Sequence, residues 1–474
     1  MSRTLELFKE ICAIPHGSYN VDAISDYLVD FAKKNNLIYR QDEEKNVIIR
    51  KKAYPGYENL PGVIIQGHMD MVAVKTEECT LDLEKDGLIV KEEDGYLFAE
   101  GTSLGGDDGI AVAYALAILE DENIKHPELE CIFTVNEEVG LLGAQVIDLS
   151  DIKGKYLINI DSEEEGVITT SCAGGVVLSS LLRLDRDLDM YGTLYSVNMK
   201  GFKGGHSGTA IHEGRANASH VMGRFLKEIE KKGKINILDL QSGEKDNAIP
   251  NFAKAIFATD LDEESFKKTV LDFDSLINEE YKGRDNEIEI VVTPLDYSNE
   301  DKKLIGDKSS VIIDILNSVP DGVVSMCDGI DMVKTSLNLG ITKIDQDGLK
   351  LEFCLRSSSK EEKEALKEKL GTILIKKGCE LALSGDYPGW DYNSDSMLQK
   401  ITVESYKELY KEEPLVTGVH AGLECGILLD KKSDLDCISI GPNILNIHTT
   451  DEKLDLASTE RTWNLIVKIL ENIK

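Results

Sequence analysis

The first 170 residues alternate between short apolar runs and segments with apolar side chains at helical spacing. Residues 4–14 and 20–36 show the helical spacing and predict two helices. Four segments rich in apolar residues predict strands: "NVIIR" (46–50), "GVIIQGHMD" (62–70), "LECIFTVNEEVG" (129–140) and "GKYLINIDSEE" (154–164). Strands that are apolar throughout and separated by helices are typical of a sheet covered on both faces. This part of the chain is therefore predicted to be an α/β domain.

The pattern changes after about residue 180. Alternating strands such as "LYSVNMKG" (194–201) follow, together with charged helices such as residues 360–378. Apolar α/β character then returns, and residues 457–473 predict a final helix. We predict a discontinuous catalytic domain with a mixed sheet between helices, formed by residues 1–180 and 385–474. An inserted α+β domain, residues 181–384, is expected to serve as a lid or in dimerisation.

The charge balance restricts the function. The 474 residues include 53 Lys and Arg against 86 Asp and Glu, a formal net charge of −33. This argues against nucleic-acid or anionic-membrane partners, which a basic patch would contact. The chain has no apolar run of about 18 residues, and its N-terminal segment, which carries acids and lacks a long apolar core, is a poor signal peptide. Nine scattered cysteines without a CxxC pair predict free thiols. We therefore expect a cytoplasmic enzyme.

Acidic and histidine residues lie at the ends of predicted strands or at a helix start. They are His68 with Asp70, Asp107 with Asp108, Glu137 with Glu138, and Asp161. Each one alone is better explained as a helix cap, a salt bridge or a loop residue. However, the carboxyl ends of strands in an open α/β sheet meet at one crevice. Carboxylates gathered there need a cation to neutralise them, so the combination indicates a metal site.

The motifs, taken in order, resemble those of the M20 metallopeptidases, specifically the aminoacyl-histidine (Xaa-His, carnosinase-like) dipeptidase branch. The resemblance covers essentially the whole chain. It is carried by "ICAIPHGSYN", "IQGHMDMV", "GTSLGGDDGIA", "NEEVGLLGA", "INIDSEEEG", "SCAGG", "GGHSG", "NAIP", "LRSS", "DYPGW", "HAGLECG" and "IGPNILNIHT".

The resemblance implies two zinc ions, for which manganese or cobalt are substitutes. His68 and Asp161 would bind one ion, Glu138 and His448 would bind the other, and Asp107 would bridge them. With Asp107 counted twice, these residues supply three protein ligands to each ion, which leaves room for a shared water in a roughly tetrahedral site.

The resemblance also implies catalytic roles. Glu137 would be the general base that takes a proton from water and passes it to the leaving amine. Asp70 would lie behind His68 as its hydrogen-bonding partner. His206, in "GGHSG", would stabilise the oxyanion of the tetrahedral intermediate, from its own subunit or from a partner's.

Three further residues are implied substrate contacts. Arg356 has the planar guanidinium that suits the free carboxylate of a dipeptide. Asn247 and Gly422 would lie beside the substrate. His420, in the same stretch as Gly422, is expected to be structural or to support another residue.

One turn departs from the family pattern. It has the sequence "GGDDG", where close relatives are expected to have "GADNG". Asp108 therefore adds a negative charge beside Asp107, and it either shifts metal affinity or points away. The resemblance further implies that the peptide bond between Asp107 and Asp108 is cis.

These observations favour metal-dependent hydrolysis of dipeptides of the Xaa-His type, such as β-Ala-His, with a small peptide as the partner and a homodimer left open. A tripeptidase or an N-acyl-amino-acid amidohydrolase of the same superfamily is the alternative. A metal-binding protein without catalysis is a third hypothesis. Glu137 argues against it, because a pure binder needs the ligands but no base.

Overall fold

The structure is a computed structural model that describes residues 2–285, 287–296 and 303–474. The described residues form eleven α-helices and one short 3₁₀ helix (Ile211–Glu213). The α-helices are α1 (Ser2–Cys12), α2 (Asp22–Lys34), α3 (Gly106–Glu120), α4 (Leu142–Val146), α5 (Ala218–Glu230), α6 (Glu263–Glu280), α7 (Lys308–Ser318), α8 (Lys360–Lys376), α9 (Met397–Tyr410), α10 (Glu424–Lys431) and α11 (Leu456–Asn472).

Strands occur along the whole described chain. They are β1 (Ile38–Gln41), β2 (Val47–Lys51), β3 (Val63–His68), β4 (Val90–Glu93), β5 (Tyr96–Ala99), β6 (Leu129–Thr134), β7 (Tyr156–Asn159), β8 (Val167–Cys172), β9 (Gly174–Leu182), β10 (Arg186–Leu188), β11 (Thr193–Lys200), β12 (Gly205–His206), β13 (Ile235–Ser242), β14 (Ala248–Ile249), β15 (Ala253–Thr259), β16 (Glu289–Leu295), β17 (Leu304–Ile305), β18 (Gly322–Met326), β19 (Val333–Ile344), β20 (Leu349–Ser357), β21 (Glu380–Tyr387), β22 (Leu415–Val419), β23 (Asp436–Ser439), β24 (Ile444–Leu445) and β25 (Lys453–Asp455).

The chain divides into two compact units. The first consists of residues 1–172, 392–418 and 423–474, and the second of residues 173–391 and 419–422. The domain boundaries inferred from the sequence, after residues 180 and 384, remain a proposal. In the present division, residues 173–180 and 385–391 belong to the second unit.

The first unit is built on a mixed sheet with the strand order β1-β2-β6-β3-β7-β23-β8-β22. Strand β3 pairs in parallel with β6 and β7, and β7 pairs in parallel with β23, whereas β2 runs antiparallel to β6. Strands β3 and β6 are buried at every position, which explains why their sequences are continuous apolar runs. The predicted α/β fold class is confirmed, and the predicted helices and strands of this unit are present, although β6 and β7 end before the acidic residues that the prediction included in them.

Helix α3 belongs to the core of this unit and is buried on all sides after its first turn. Its start is irregular, because Gly105 has a left-handed φ of 69° and Asp107 and Asp108 have non-helical dihedral angles. The peptide bond between Asp107 and Asp108 is cis, as the resemblance implied. Both aspartates are thus set on a turn rather than on a regular helix.

The second unit contains an antiparallel sheet with the order β16-β11-β15-β13-β19-β20-β9-β21, and β18 is added at β19. Helices α5, α7 and α8 pack on this sheet, and a separate apolar core fills the space between them. The alternating strands and amphipathic helices predicted for this part of the chain are therefore present as an α+β arrangement.

The nine cysteines are all free, as their scattered spacing predicted. Most of them are buried, where a thiol packs as a small apolar group. Within the described residues, no helix is both long enough and apolar enough to span a membrane.

Candidate metal centre and catalytic residues

The carboxyl ends of three adjacent parallel strands deliver side chains to one edge of the first unit's sheet. His68 is the last residue of β3, which lies between β6 and β7. Glu137 and Glu138 follow β6, and Asp161 follows β7. This is the edge at which an open α/β sheet collects its ligands, and it explains why these acids follow apolar runs in the sequence.

Asp107 lies between two histidines. Its Oδ1 is 3.0 Å from His68 Nε2, and its Oδ2 is 3.1 Å from His448 Nε2. Asp161 Oδ1 lies 3.6 Å from His68 Nε2, and Glu138 Oε2 lies 3.0 Å from His448 Nε2. The Asp107 carboxylate thus lies between two pairs of residues, His68 with Asp161 and His448 with Glu138.

Two groups of potential ligands result, and in each the ligand atoms lie within 4.8 Å of one another. One group is His68, Asp107 and Asp161, and the other is Asp107, Glu138 and His448. They are the same two sets that the resemblance assigned to two ions. Glu137 enters a third group, with His68 and Glu138.

The donor set fits a divalent transition-metal ion. Imidazole nitrogens and carboxylate oxygens are the ligands that zinc takes in proteins. In addition, Glu138 Oε1 is buried and has no hydrogen-bond partner among the described residues. A buried carboxylate oxygen without a donor is costly, and a bound cation would remove that cost.

The carboxylates keep the histidines charged in the metal-free chain. Hydrogen bonds to Asp107 and Glu138 raise the pKa of His448 to about 10. Burial lowers the pKa of His68, but hydrogen bonds to Asp107, Asp161 and Asp70 outweigh it and hold that pKa well above its usual range. Protons thus partly neutralise the cluster when cations do not.

Asp70 supports two of the neighbouring residues. Its Oδ1 accepts a hydrogen bond from the Glu137 backbone N–H at 3.0 Å, and its Oδ2 accepts one from the Ser18 hydroxyl at 2.8 Å. The Asp70 carbonyl oxygen is 3.0 Å from His68 Nδ1. Because a carbonyl can only accept, Nδ1 carries a proton, which directs the Nε2 lone pair of a neutral His68 toward the cluster.

Asp108 points toward the backbone of β3. Its Oδ2 accepts a hydrogen bond from the His68 backbone N–H at 3.2 Å, and the carboxylate is absent from the three ligand groups found among the described residues. Burial raises the pKa of Asp108 well above its usual range. The extra aspartate of "GGDDG" therefore fastens the turn to the strand.

His206 lies on the short strand β12 of the second unit, paired with Ala248. Its Nδ1 accepts hydrogen bonds from the backbone N–H groups of Gly208 and Thr209 at 3.3 and 3.2 Å. Burial, followed by the charge of Arg356, lowers the pKa of His206. The ring is therefore neutral near pH 7 and carries its proton on Nε2.

Arg356 lies on β20 and donates a hydrogen bond from Nη1 to the Tyr387 hydroxyl at 3.0 Å. His420 Nε2 is 2.7 Å from the Ser336 hydroxyl, and burial together with the charge of Arg356 lowers its pKa to about 3. Buried polar atoms without hydrogen-bond partners in the described chain include Arg356 Nε, His420 Nδ1 and Ser207 Oγ.

Asn247 belongs to the same region of the second unit. Its carbonyl oxygen accepts a hydrogen bond from the Ser207 backbone N–H at 2.8 Å, directly beside His206. Gly422 lies two residues after His420 in a segment without regular structure. In the second unit, Asn247 thus contacts the residue next to His206, and the charge of Arg356 acts on the His206 ring.

Two buried carboxylates escaped the sequence analysis. Glu424 Oε2 accepts hydrogen bonds from Gln66 Nε2 at 2.5 Å and from the Thr134 hydroxyl at 2.6 Å, beneath the ends of β3 and β6. Glu452 accepts backbone hydrogen bonds from the turn before Asp107. Both are ordinary acids in the sequence, and only the folded chain reveals that they are buried.

The fold and the cluster define a metallopeptidase, a hydrolase class, as the sequence predicted. The model for peptidase family M20/M25/M40 matches residues 64–472. The chain belongs to this family.

Two relatives match along nearly their whole length. A protein named cytosol non-specific dipeptidase from Escherichia coli is 33% identical over 471 residues, which cover 99% of this chain and 97% of that protein. The crystal structure of an aminoacylhistidine dipeptidase from Vibrio alginolyticus matches with a TM-score of 0.95 and 32% identity, covering 100% of this chain and 97% of that one. An aminopeptidase from Bacillus cereus shares the fold, with a TM-score of 0.57, 16% identity and coverage of 100% and 98%.

Metal uptake by the metal-free protein should release protons. The pKa of His448 is raised to about 10 and that of His68 is raised well above its usual range, and a histidine must become neutral to bind an ion. At pH 8 we expect His448 to release a proton on Zn²⁺ binding, with a further contribution from His68, measured as the buffer dependence of the calorimetric heat. The release from His448 should fade as the pH rises through 10. A heat that is the same in buffers of different ionisation enthalpy would contradict the assignment.

Proposed function

We propose that the chain is a dipeptidase that holds two zinc ions and cleaves Xaa-His dipeptides such as β-Ala-His, along with other dipeptides. The observation that carries this proposal is the sharing of Asp107 between two ligand sets, with Glu137 directly beside them. The names of the two full-length relatives, a non-specific dipeptidase and an aminoacylhistidine dipeptidase, support the substrate class. The name of the Escherichia coli relative also supports a cytosolic location.

The ion-binding roles are divided among five residues. His68 and Asp161 would hold one ion, Glu138 and His448 would hold the other, and Asp107, which belongs to both groups of potential ligands, would be shared. Ions bound in this way lower the pKa of water and polarise a substrate carbonyl. Zinc is the first choice because both ligand sets combine imidazole with carboxylates, and manganese or cobalt are substitutes.

Glu137 is the proton carrier of the proposed reaction. Its carboxylate Oε2 lies 4.0 Å from His68 Nε2, and its backbone is fixed by the hydrogen bond to Asp70. Glu137 accepts a proton from the attacking water and delivers it to the amine nitrogen of the leaving amino acid. In the metal-free chain, burial raises the pKa of Glu137.

The second unit supplies donors that match the rest of a dipeptide. His206 presents Nε2–H, because its Nδ1 is occupied as an acceptor, and this donor suits the oxyanion of a tetrahedral intermediate. Arg356 receives the free carboxylate of the substrate, with Asn247 and Gly422 as further contacts. A homodimer, in which His206 would serve a partner subunit, remains open.

A substrate panel tests the proposed specificity. We expect cleavage of β-Ala-His, Gly-His and a dipeptide without histidine, and little cleavage of a tripeptide or of Gly-His amide, because the amide lacks the carboxylate that Arg356 would bind. The measurement is the initial rate of amino-acid release for each compound. Preferred cleavage of the tripeptide or of an N-acyl amino acid would assign the same residues to the alternative function.

A Glu137→Gln variant separates proton transfer from ion binding. The amide cannot accept the proton, so we expect kcat to fall by about 10²- to 10⁴-fold while the metal content stays at the wild-type value. Glu164→Gln is the matched control, because it makes the same change in an exposed residue of the loop after β7. Near-normal turnover of Glu137→Gln would overturn the assigned role.

A further inference from the structure

Glu452 is a buried carboxylate that no step of the proposed reaction uses. Its side chain is 2% exposed, and it lies just before β25. Four consecutive backbone N–H groups donate to it. Oε2 accepts from Leu104 at 2.7 Å and Gly105 at 3.0 Å, and Oε1 accepts from Gly106 at 2.7 Å and Asp107 at 3.4 Å.

These N–H groups belong to the irregular turn that leads into α3. Gly105 has a left-handed φ of 69°, and Asp107 departs from helical geometry. Donors at a helix start have no carbonyl partner within the helix, so their direction is set by whatever accepts them. Here a single carboxylate accepts all four, and it therefore fixes the path of the backbone up to Asp107.

The position of Glu452 in the sequence gives this contact a second consequence. His448 lies four residues earlier in the same loop, and its Nε2 is 3.1 Å from Asp107 Oδ2. The loop thus holds Asp107 twice, through the backbone by Glu452 and through the side chain by His448. These two contacts fix the distance between His448, which belongs to one ligand set, and Asp107, which belongs to both.

The chemistry of this contact requires a carboxylate. Two oxygens with four lone pairs match four donors, and the partial positive charges of the N–H groups offset part of the cost of burying the negative charge, although burial still raises the pKa of Glu452. Among the described residues, no Lys or Arg pairs with Glu452. A Cβ at Gly106 would lie 3.1 Å from Glu452 Oε1, so the glycine allows the close approach.

We propose that Glu452 is a positioning residue, whose carboxylate orients the Leu104–Asp107 turn so that both oxygens of Asp107 face the two ligand sets. The inference rests on the proposed function, because it concerns the binding of the ions. It predicts that Glu452 controls metal affinity without touching an ion or the substrate.

The test compares three variants of the full-length protein by titrating the metal-free forms with Zn²⁺ against a competing chelator. Glu452→Gln turns an amide NH₂ toward two N–H donors, and we expect Zn²⁺ affinity to fall by about 10- to 100-fold. Glu452→Asp keeps the charge on a shorter side chain and should recover part of the loss. Asp451→Asn removes the same charge from an exposed neighbour in the same loop, and should bind Zn²⁺ like the wild type.

The melting temperature of each metal-free variant shows whether the variant is destabilised. It thereby distinguishes a loss of Zn²⁺ affinity caused by a misplaced turn from one caused by lower stability of the whole protein. Wild-type Zn²⁺ affinity in Glu452→Gln would overturn the proposal, whether or not the melting temperature falls. If Glu452→Gln does not fold, the decision passes to Glu452→Asp, for which an affinity equal to that of the wild type is the contradicting result.

Hydrogen exchange on the metal-free wild type provides a test without any variant. The amides of Leu104, Gly105 and Gly106 should be protected, and free exchange at these positions would contradict the contact itself. This measurement also separates the two claims. Absence of Zn²⁺ binding by the wild type would overturn the proposed function, while protected amides would still support the role of Glu452 in shaping the turn.

Discussion

The site depends on the electrostatic cost of gathering carboxylates at one sheet edge. Asp107, Asp161, Glu137 and Glu138 lie around two histidines, largely shielded from water. Such a cluster is stable only if positive charge enters it, either as protons on the histidines or as bound cations. The raised pKa values of both histidines show the first solution in the metal-free chain. Two cations would provide the second, and the ligand geometry suits them.

The surrounding residues keep this cluster in place. Asp70 holds the His68 ring and the Glu137 backbone, Asp108 holds the His68 backbone, and Glu452 holds the turn before Asp107. Apart from the contact of the His68 ring with the Asp70 backbone carbonyl, each of these supports is a carboxylate that accepts backbone hydrogen bonds. Hydrogen bonds between these supporting residues and the backbone thus fix the positions of the ligand residues. The imidazole and carboxylate atoms of the ligand residues stay available for ions.

The second unit carries cationic and hydrogen-bond-donating side chains, in contrast to the carboxylates of the first unit. Arg356 is buried beside a neutral His420, and His206 is held as a neutral donor. Cationic and hydrogen-bond-donating groups of this kind suit the anionic carboxylate and the developing oxyanion of a peptide substrate. In the proposed reaction, these groups of the second unit are assigned to substrate recognition.

Much of this arrangement could be predicted from the sequence, for specific reasons. The strands that position His68, Glu137 and Asp161 are continuous apolar runs because both faces of the sheet are covered, and parallel strands end at one edge. His448 was only one further candidate in the sequence, and its ligand role, like the cis bond after Asp107, came from the family resemblance. Glu424 and Glu452 escaped prediction because burial of an acid depends on packing between distant segments. The direction of Asp108 was undecided for the same reason.

The most direct test of the central claim is the amount of metal bound per chain, measured together with dipeptide cleavage before and after chelation. The account predicts close to two divalent ions per chain in protein prepared with sufficient zinc. It also predicts that cleavage of Gly-His is lost with a chelator and restored by zinc. Less than one ion per chain under those conditions, or cleavage that is unaffected by complete removal of the metal, would contradict it.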